Sequence, residues 1–269
     1  MPLALFAWTV SAHTHLRELE IGTTQYGSGV CIRPFNDPST IDYPAKDPTD
    51  PFMRCRATNT TVRAAKICDA VAGGNITVNW YAGNTPGEMG INPSHKGPCI
   101  IWMAPLVSNG EGNVWFKIFQ DGYNPTTKKW CVDTINANNG NLTVTVPSDL
   151  LAGQYLLRTE IIALHLAFLP YTGDKNGAEY YSNCAELNVS GSGKSLPSPG
   201  VAIPGVYTAN MPGIVFNLTA PFTSYTIPGP NVYQVGKPGS VGGGNPGGGT
   251  NPPCTKTKKR KRRQLSQEL

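Results

Sequence analysis

Short runs of alternating apolar and polar residues recur along this chain, each closed by glycine, asparagine or proline, and that punctuation confines it to short strands joined by turns. "NITVNWYA" (75–82) reads as a half-buried strand, and "GPCIIWMAPL" from residue 97 as a more continuous one leaving a Gly-Pro turn. "GNVWFKIFQDGY" (112–123), "GNLTVTVP" (140–147) and "GQYLLRTEIIALHLA" (153–167) follow, and "AELNVSG" (185–191) closes the series. With 30 Gly and 24 Pro in 269 residues, a helical bundle is excluded. The pattern predicts an all-β chain built as a sandwich.

Two long irregular stretches accompany the strands. Residues 22–61 hold five prolines and little periodicity, so they read as one loop for Cys31 and Cys55 to anchor; loops of such length in a compact domain usually carry function. From about residue 192 the chain is rich in Pro, Gly and Ser but still spaces aromatics, which predicts an ordered irregular segment packed on the sandwich. The domain is therefore expected over 13–235, followed by a Gly/Pro-rich linker (236–253) and a basic tail (254–269).

The seven cysteines (31, 55, 68, 99, 131, 184, 254) are dispersed and never form C-x-x-C, which argues for disulfides and an oxidising compartment rather than a zinc ribbon or a thioredoxin-like site. Five N-x-S/T sequons, at Asn59, Asn75, Asn141, Asn188 and Asn217, point with them to a secreted, extracellular glycoprotein, although sequons also arise by chance in Asn- and Thr-rich strands. No apolar run of about 20 residues follows the N-terminus, so no membrane span is expected. The formal charge of +5 resides in the tail, whose seven cations and single Glu268 give +6 and leave about −1 elsewhere. Binding of nucleic acid through a basic face is excluded on that balance.

At the N-terminus, "PLALFAWTV" is an apolar run, and Val10-Ser11-Ala12 has the small-residue pattern of a signal-peptidase site. The basic segment that normally precedes such a run is absent, so either the start is truncated upstream or the signal is marginal. Cleavage after Ala12 would make residues 1–12 a leader and His13 the first residue. An N-terminal histidine chelates a metal through its α-amine and Nδ1 together. A second histidine opposite completes a three-nitrogen plane, which suits Cu(II) better than tetrahedral Zn(II). The plainer reading, that His13 only starts a strand, would prevail if it stood alone. His95 in "NPSHKGP" and His165 in "EIIALH" read, by themselves, as a surface histidine and a partly buried core histidine.

Taken in order and spacing, His13, "NPSHKGP", "YLLRTEIIALH", "GAEYYSNCAELNVSG", "PGVYTANMPGI" and "YTIPGPNVY" resemble the fungal lytic polysaccharide monooxygenases of auxiliary activity family nine, over about residues 13–233. The resemblance implies an immunoglobulin-like or fibronectin-like β-sandwich whose long loops form a flat substrate face around one copper. It assigns His13 and His95 as copper ligands, Tyr181 as the axial group, and His165 as a histidine that hydrogen-bonds the oxygen species. His15 shares a strand face with His13 and reads as supporting or structural. The resemblance also implies a Cys55–Cys184 disulfide and leaves the other pairs open, with Cys254 as the odd one. Two residues depart from the family pattern. Glu179 stands where glutamine is usual, which alters charge and hydrogen bonding beside the metal; Thr159 replaces a frequent histidine.

The implied activity is oxidative cleavage of cellulose or a related β-1,4-glucan at C1 or C4 by a monomer, with an external electron donor and O2 or H2O2. Tyr207, Tyr233 and, more weakly, Tyr26 are the candidates for stacking on sugar rings. Two rivals compete with it. Glu160 and Glu179 could be the carboxylate pair of a glycoside hydrolase, or the chain could be a non-catalytic secreted module that binds copper and glycan.

Overall fold

The computed structural model describes residues 14–35, 43–56, 62–82, 90–173 and 176–237. Residue 13, the leader, the Asn59 sequon and the linker and tail from 238 onward lie outside the described residues.

Among the described residues eleven strands and one short α-helix follow in order, besides two single 3-10 turns: β1 (Thr14–Ile21), β2 (Thr24–Tyr26), β3 (Cys68–Val71), β4 (Asn75–Ala82), β5 (Cys99–Pro105), β6 (Phe116–Asp121), β7 (Tyr123–Asn124), β8 (Lys129–Trp130), α1 (Cys131–Ala137), β9 (Asn141–Thr145), β10 (Gly153–Ala163) and β11 (Glu179–Ser190). A four-stranded sheet, β2-β1-β4-β9, lies against a five-stranded sheet, β3-β11-β10-β5-β6, and β7 and β8 form a separate hairpin. Every pairing is antiparallel except β11 with β3. This is the β-sandwich expected from the strand pattern.

Side-chain parity accounts for the two kinds of run. In β4 apolar and polar residues alternate, because one face of its sheet looks outward. In β5, Ile101 and Met103 enter the core between the sheets, while Ile100, Trp102 and Ala104 enter a second cluster on the far side. The late irregular segment covers that far side with Ile203, Tyr207 and Ile214. It is pinned by reciprocal backbone bonds between Trp115 and Val201 (3.0 and 2.8 Å) and by Tyr233 N–H donating to the Lys117 carbonyl (2.7 Å).

Three disulfides tie the loops to the sheets: Cys31–Cys68, Cys55–Cys184 and Cys99–Cys131. The long early loop is therefore anchored to β3 and β11, not cross-linked to itself. Of the described sequons, Asn75, Asn188 and Asn217 are exposed, but Asn141 is half-buried and its Oδ1 accepts from Asn79 Nδ2 (2.5 Å), a structural use that suits a glycan acceptor poorly.

Lys117 on β6 is fully buried beneath the late segment, donating to the Pro228 carbonyl (2.9 Å) and Gln120 Oε1 (2.7 Å), with its Nζ 5.2 Å from the Trp102 ring centre. Burial pushes its ammonium down to about 7, against the opposing pull of Glu160. Between that value and the ordinary lysine range, the unfolded chain holds a proton that the folded chain has released, so folding stability rises with pH across this window. The unfolding free energy from urea titration is expected to increase by roughly 2 kcal/mol from pH 7 to 9. Lys117→Met should flatten that rise.

Candidate metal centre

The register of the five-stranded sheet brings together residues far apart in sequence. Cys99 at the start of β5 pairs with Ile161 near the end of β10, and Ile161 pairs with Tyr181 near the start of β11. His95 just precedes β5, His165 just follows β10 and Glu179 opens β11, so all three belong to one end of the sandwich.

The close approach depends on Gly97. A Cβ there would stand 1.8 Å from the Ile162 carbonyl oxygen, so no other residue lets the His95 loop lie along the end of β10. Across this contact Leu164 N–H donates to the Lys96 carbonyl (2.9 Å) and Ile162 N–H to the Pro98 carbonyl (3.1 Å). The loop is also held by α1. Asn136 exchanges two hydrogen bonds with the Ile91 backbone (2.8 and 2.7 Å), and Lys96 is paired with Asp133. Asn92 Oδ1 closes the turn by accepting from the Ser94 N–H and hydroxyl (2.9 and 2.8 Å).

Within the cluster, the His95 and His165 rings lie 4.1 Å apart between centres, tilted by 36°. Ser94 Oγ is 3.1 Å from His95 Nδ1, which directs Nε2 inward, 3.7 Å from Glu179 Oε2. His165 Nε2 lies 3.6 Å from the same oxygen. The Tyr181 hydroxyl donates to Glu179 Oε2 (2.8 Å), its ring centre is 5.8 Å from that of His95, and Lys46 Nζ lies 3.3 Å from Oε1. His95, Glu179 and Tyr181 are buried, and His165 is partly exposed.

β1 starts beside this cluster. Thr14 is fully buried, and its hydroxyl donates to the Tyr81 carbonyl (2.8 Å), with the Gly90 carbonyl as a second acceptor within reach at 3.2 Å. Arg56, also buried, donates to the Thr14 carbonyl (3.3 Å) and sits 5.7 Å over the Tyr181 ring. His15 is buried and meets Phe35 edge-on at 6.0 Å.

Three sugar-stacking candidates are not where the sequence suggested. Tyr207 is buried, stacked on Tyr180 at 5.7 Å, and donates to Glu160 Oε2 (2.7 Å). Burial there pushes its phenol well above the usual tyrosine range. Tyr233 is buried in the core between the sheets, donating to Asp149 Oδ2 (2.8 Å). Tyr26 is half-buried and pairs with Leu19, five residues along β1 from Thr14 and thus about 17 Å from the cluster end. Aromatic spacing alone does not distinguish a ring that seals a core from one that faces solvent.

The hydrolase pair fails on parity. Glu160 is fully buried on the outer face of the sheet, accepting from Arg158 (2.6 Å), Trp102 Nε1 (3.2 Å) and Tyr207, whereas Glu179 and Tyr181 share the opposite parity. Residues that sequence reasoning missed are Arg56, Lys46 and Ser94, together with the exposed apolar side chains Phe168, Leu169 and Tyr43. Phe168 and Leu169 follow His165 by three and four residues. Tyr43 precedes Ala45, whose backbone pairs with that of Tyr180 (3.0 and 2.8 Å). The run "FLP", starting three residues after His165, was the available signal.

The model of Auxiliary Activity family 9 (formerly GH61) matches residues 13–225, beginning at His13. The chain belongs to this family. An AA9 family lytic polysaccharide monooxygenase A of Aspergillus niger is 36% identical over 241 residues, covering 89% of this chain and 57% of the relative. The chain spans little more than half the length of such curated relatives. Among solved structures, CvAA9A is similar with a TM-score of 0.73 at 32% identity, covering 82% of this chain and 98% of that one. A cellulose-active polysaccharide monooxygenase from M. thermophila has a TM-score of 0.66 at 28% identity, covering 82% and 99%. The AA9 sandwich is thus the fold of this chain.

Two substitutions probe this arrangement. Tyr207→Phe is expected to lower the unfolding free energy by about 1.5–3 kcal/mol, since it removes a buried bond to a charged group, and to leave glucan pull-down unchanged. Gly97→Ala sets a side chain against backbone and should cost at least about 2 kcal/mol, read as a fall in melting temperature of several degrees.

Proposed function

We propose that this AA9 chain is a secreted, copper-dependent lytic polysaccharide monooxygenase that oxidatively cleaves β-1,4-linked glucan, cellulose or a related hemicellulose, at C1 or C4. The observation that carries the reading is the convergence of His95, His165 and Tyr181 beside the start of β1, in a chain whose family match begins at His13.

The residues present fit copper by their donor chemistry. His95 Nε2 is directed into the cluster by Ser94, imidazole nitrogen suits copper, and the buried Tyr181 supplies a phenol oxygen of weak donor strength. His13 would add its α-amine and Nδ1 once cleavage exposes them, completing the three-nitrogen set. When bound, copper supplies the one-electron redox chemistry that acid–base side chains lack, with an external donor as reductant and O2 or H2O2 as oxidant.

The protein groups position and tune. His165, whose side chain is 23% exposed, could donate a hydrogen bond or a proton from Nε2 to an oxygen-bearing group held beside the cluster. Glu179 accepts from Tyr181 through Oε2, and this fixes the phenol beside His95. Arg56 holds the Thr14 carbonyl and so steadies the backbone next to His13. Phe168, Leu169 and Tyr43 replace Tyr207, Tyr233 and Tyr26 as the groups placed to meet the apolar faces of sugar rings, each about half exposed at 48%, 48% and 56%.

The chain should be prepared in two forms, one beginning at His13 and one N-acetylated there. The free form is expected to give oxidised oligosaccharides from cellulose or another β-glucan only with reductant, and Cu(II) resonance spectra with three-nitrogen splitting. The acetylated form should lose both. Equal oxidised product from the two forms would overturn the role of His13. Tight copper and glycan binding without oxidised product would point instead to a non-catalytic module.

A further inference from the structure

Glu179 gives this cluster a capacity that an amide in its place would not. Its Oε2 faces two imidazole Nε2 atoms, at 3.7 Å (His95) and 3.6 Å (His165), and the three ligand atoms lie within 4.8 Å of one another. Among the described residues this is the only grouping of three His, Cys, Asp or Glu side chains close enough to share an ion. In a tetrahedral site with bonds of about 2.0–2.2 Å, neighbouring ligand atoms stand roughly 3.3–3.5 Å apart. The two edges to the carboxylate are therefore already within a few tenths of an ångström of closure. The remaining adjustment falls on His165, the least enclosed of the three, whose side chain is 23% exposed against 4% for His95 and 6% for Glu179.

We propose that His95, His165 and Glu179 form a three-ligand site for a divalent cation of the zinc type, which closes without the amine of residue 13. The donor set is two imidazoles and one carboxylate, a combination that binds Zn2+ and leaves a fourth position open to water. The carboxylate is oriented for it. Lys46 engages Oε1, and the Tyr181 hydroxyl donates to Oε2, setting that oxygen toward the two histidines. Each ligand also comes from a fixed element, because Glu179 pairs with Ala163 in the β10–β11 register and the His95 and His165 segments are joined by the Leu164-to-Lys96 hydrogen bond. The site shares His95 with the copper reading but does not rest on it. The two differ in what they require, namely the amine of His13 for copper and the carboxylate of Glu179 for the zinc-type ion. A chain whose N-terminus is still blocked would thus hold a metal at this position, and exposing the amine would let copper compete for His95.

The test uses the full 269-residue chain beginning at Met1, in which residue 13 has no free amine. Titration with Zn2+ by calorimetry, and with Co2+ by visible absorption, is expected to give one equivalent with the intense bands of a four-coordinate ion. Glu179→Gln, nearly isosteric, should weaken Zn2+ binding at least tenfold, as should His165→Gln, with near-ultraviolet dichroism confirming an unchanged fold. Should Glu179→Gln fail to fold, His165→Gln decides. Failure of the wild-type chain to bind Zn2+, or equal binding by wild type and variants, would overturn the proposal. The copper reading is judged separately. Glu179→Gln in a chain beginning at His13 should keep three-nitrogen Cu(II) splitting if that reading stands, whichever way the Zn2+ titrations fall.

Discussion

The burial of β10 and β11 on both faces is the constraint on which the rest of the molecule depends. β10 is buried continuously from Tyr155 to Ala163, and β11 from Glu179 to Leu187. A sandwich with only two sheets would leave the outer face of these strands wet, so a third layer is required, and the late irregular segment provides it. Polar side chains trapped under that layer must be matched. Arg158 donates to the Met53 and Arg54 carbonyls (2.8 Å each) and to Glu160, which in turn accepts from Trp102 and Tyr207. Removing one partner of so enclosed an ion pair would leave an unpaired buried charge, a far larger penalty than the pair's own net contribution.

That outer network reaches the cluster of His95, His165 and Glu179 through the chain itself. Arg158 grips the turn at Met53 and Arg54, and Cys55 in the same turn is bonded to Cys184 on β11. With the turn fixed from one face of the sheet, Arg56 extends to the other, where it meets the Thr14 carbonyl and the Tyr181 ring. The start of β1 and the start of β11 belong to different sheets. Arg56 and the bond from Leu16 N–H to Asn183 Oδ1 (2.8 Å) are what hold them in register.

The sandwich was legible in the sequence because alternation and Gly/Pro punctuation are local signals, and β4, β5, β9 and β10 fall close to where those signals place them. β11 begins at Glu179, six residues before the alternating run that starts at Ala185, because "EYYSNC" is buried on both faces and shows no alternation. α1 was missed for a different reason. "CVDTINA" is short and rich in β-branched residues, and it is helical because Cys131 is tied to Cys99 and Asp133 accepts from the Trp130 N–H (2.9 Å). Yet α1 is what sets the His95 loop, so the least legible element positions one of the histidines of the cluster. The tyrosines failed as candidates because nothing local distinguishes Tyr207, whose partner Glu160 lies 47 residues away, from an exposed ring.

The carboxylate of Glu179 sets more than the charge of the cluster. An amide at this position could either give or accept a hydrogen bond with Tyr181, leaving the direction of that bond open. An ionised carboxylate can only accept, so the 2.8 Å contact fixes Tyr181 as the donor and commits its proton to Glu179. The phenol oxygen then turns lone pairs, not a proton, toward the remainder of the pocket. Lys46 meets the carboxylate from the opposite oxygen, and as it is 30% exposed, its Coulombic contribution is screened and modest. The carboxylate is therefore engaged on both oxygens by neighbours from separate elements. Its chemical effect is concentrated at Oε2, where the two histidines and the tyrosine meet.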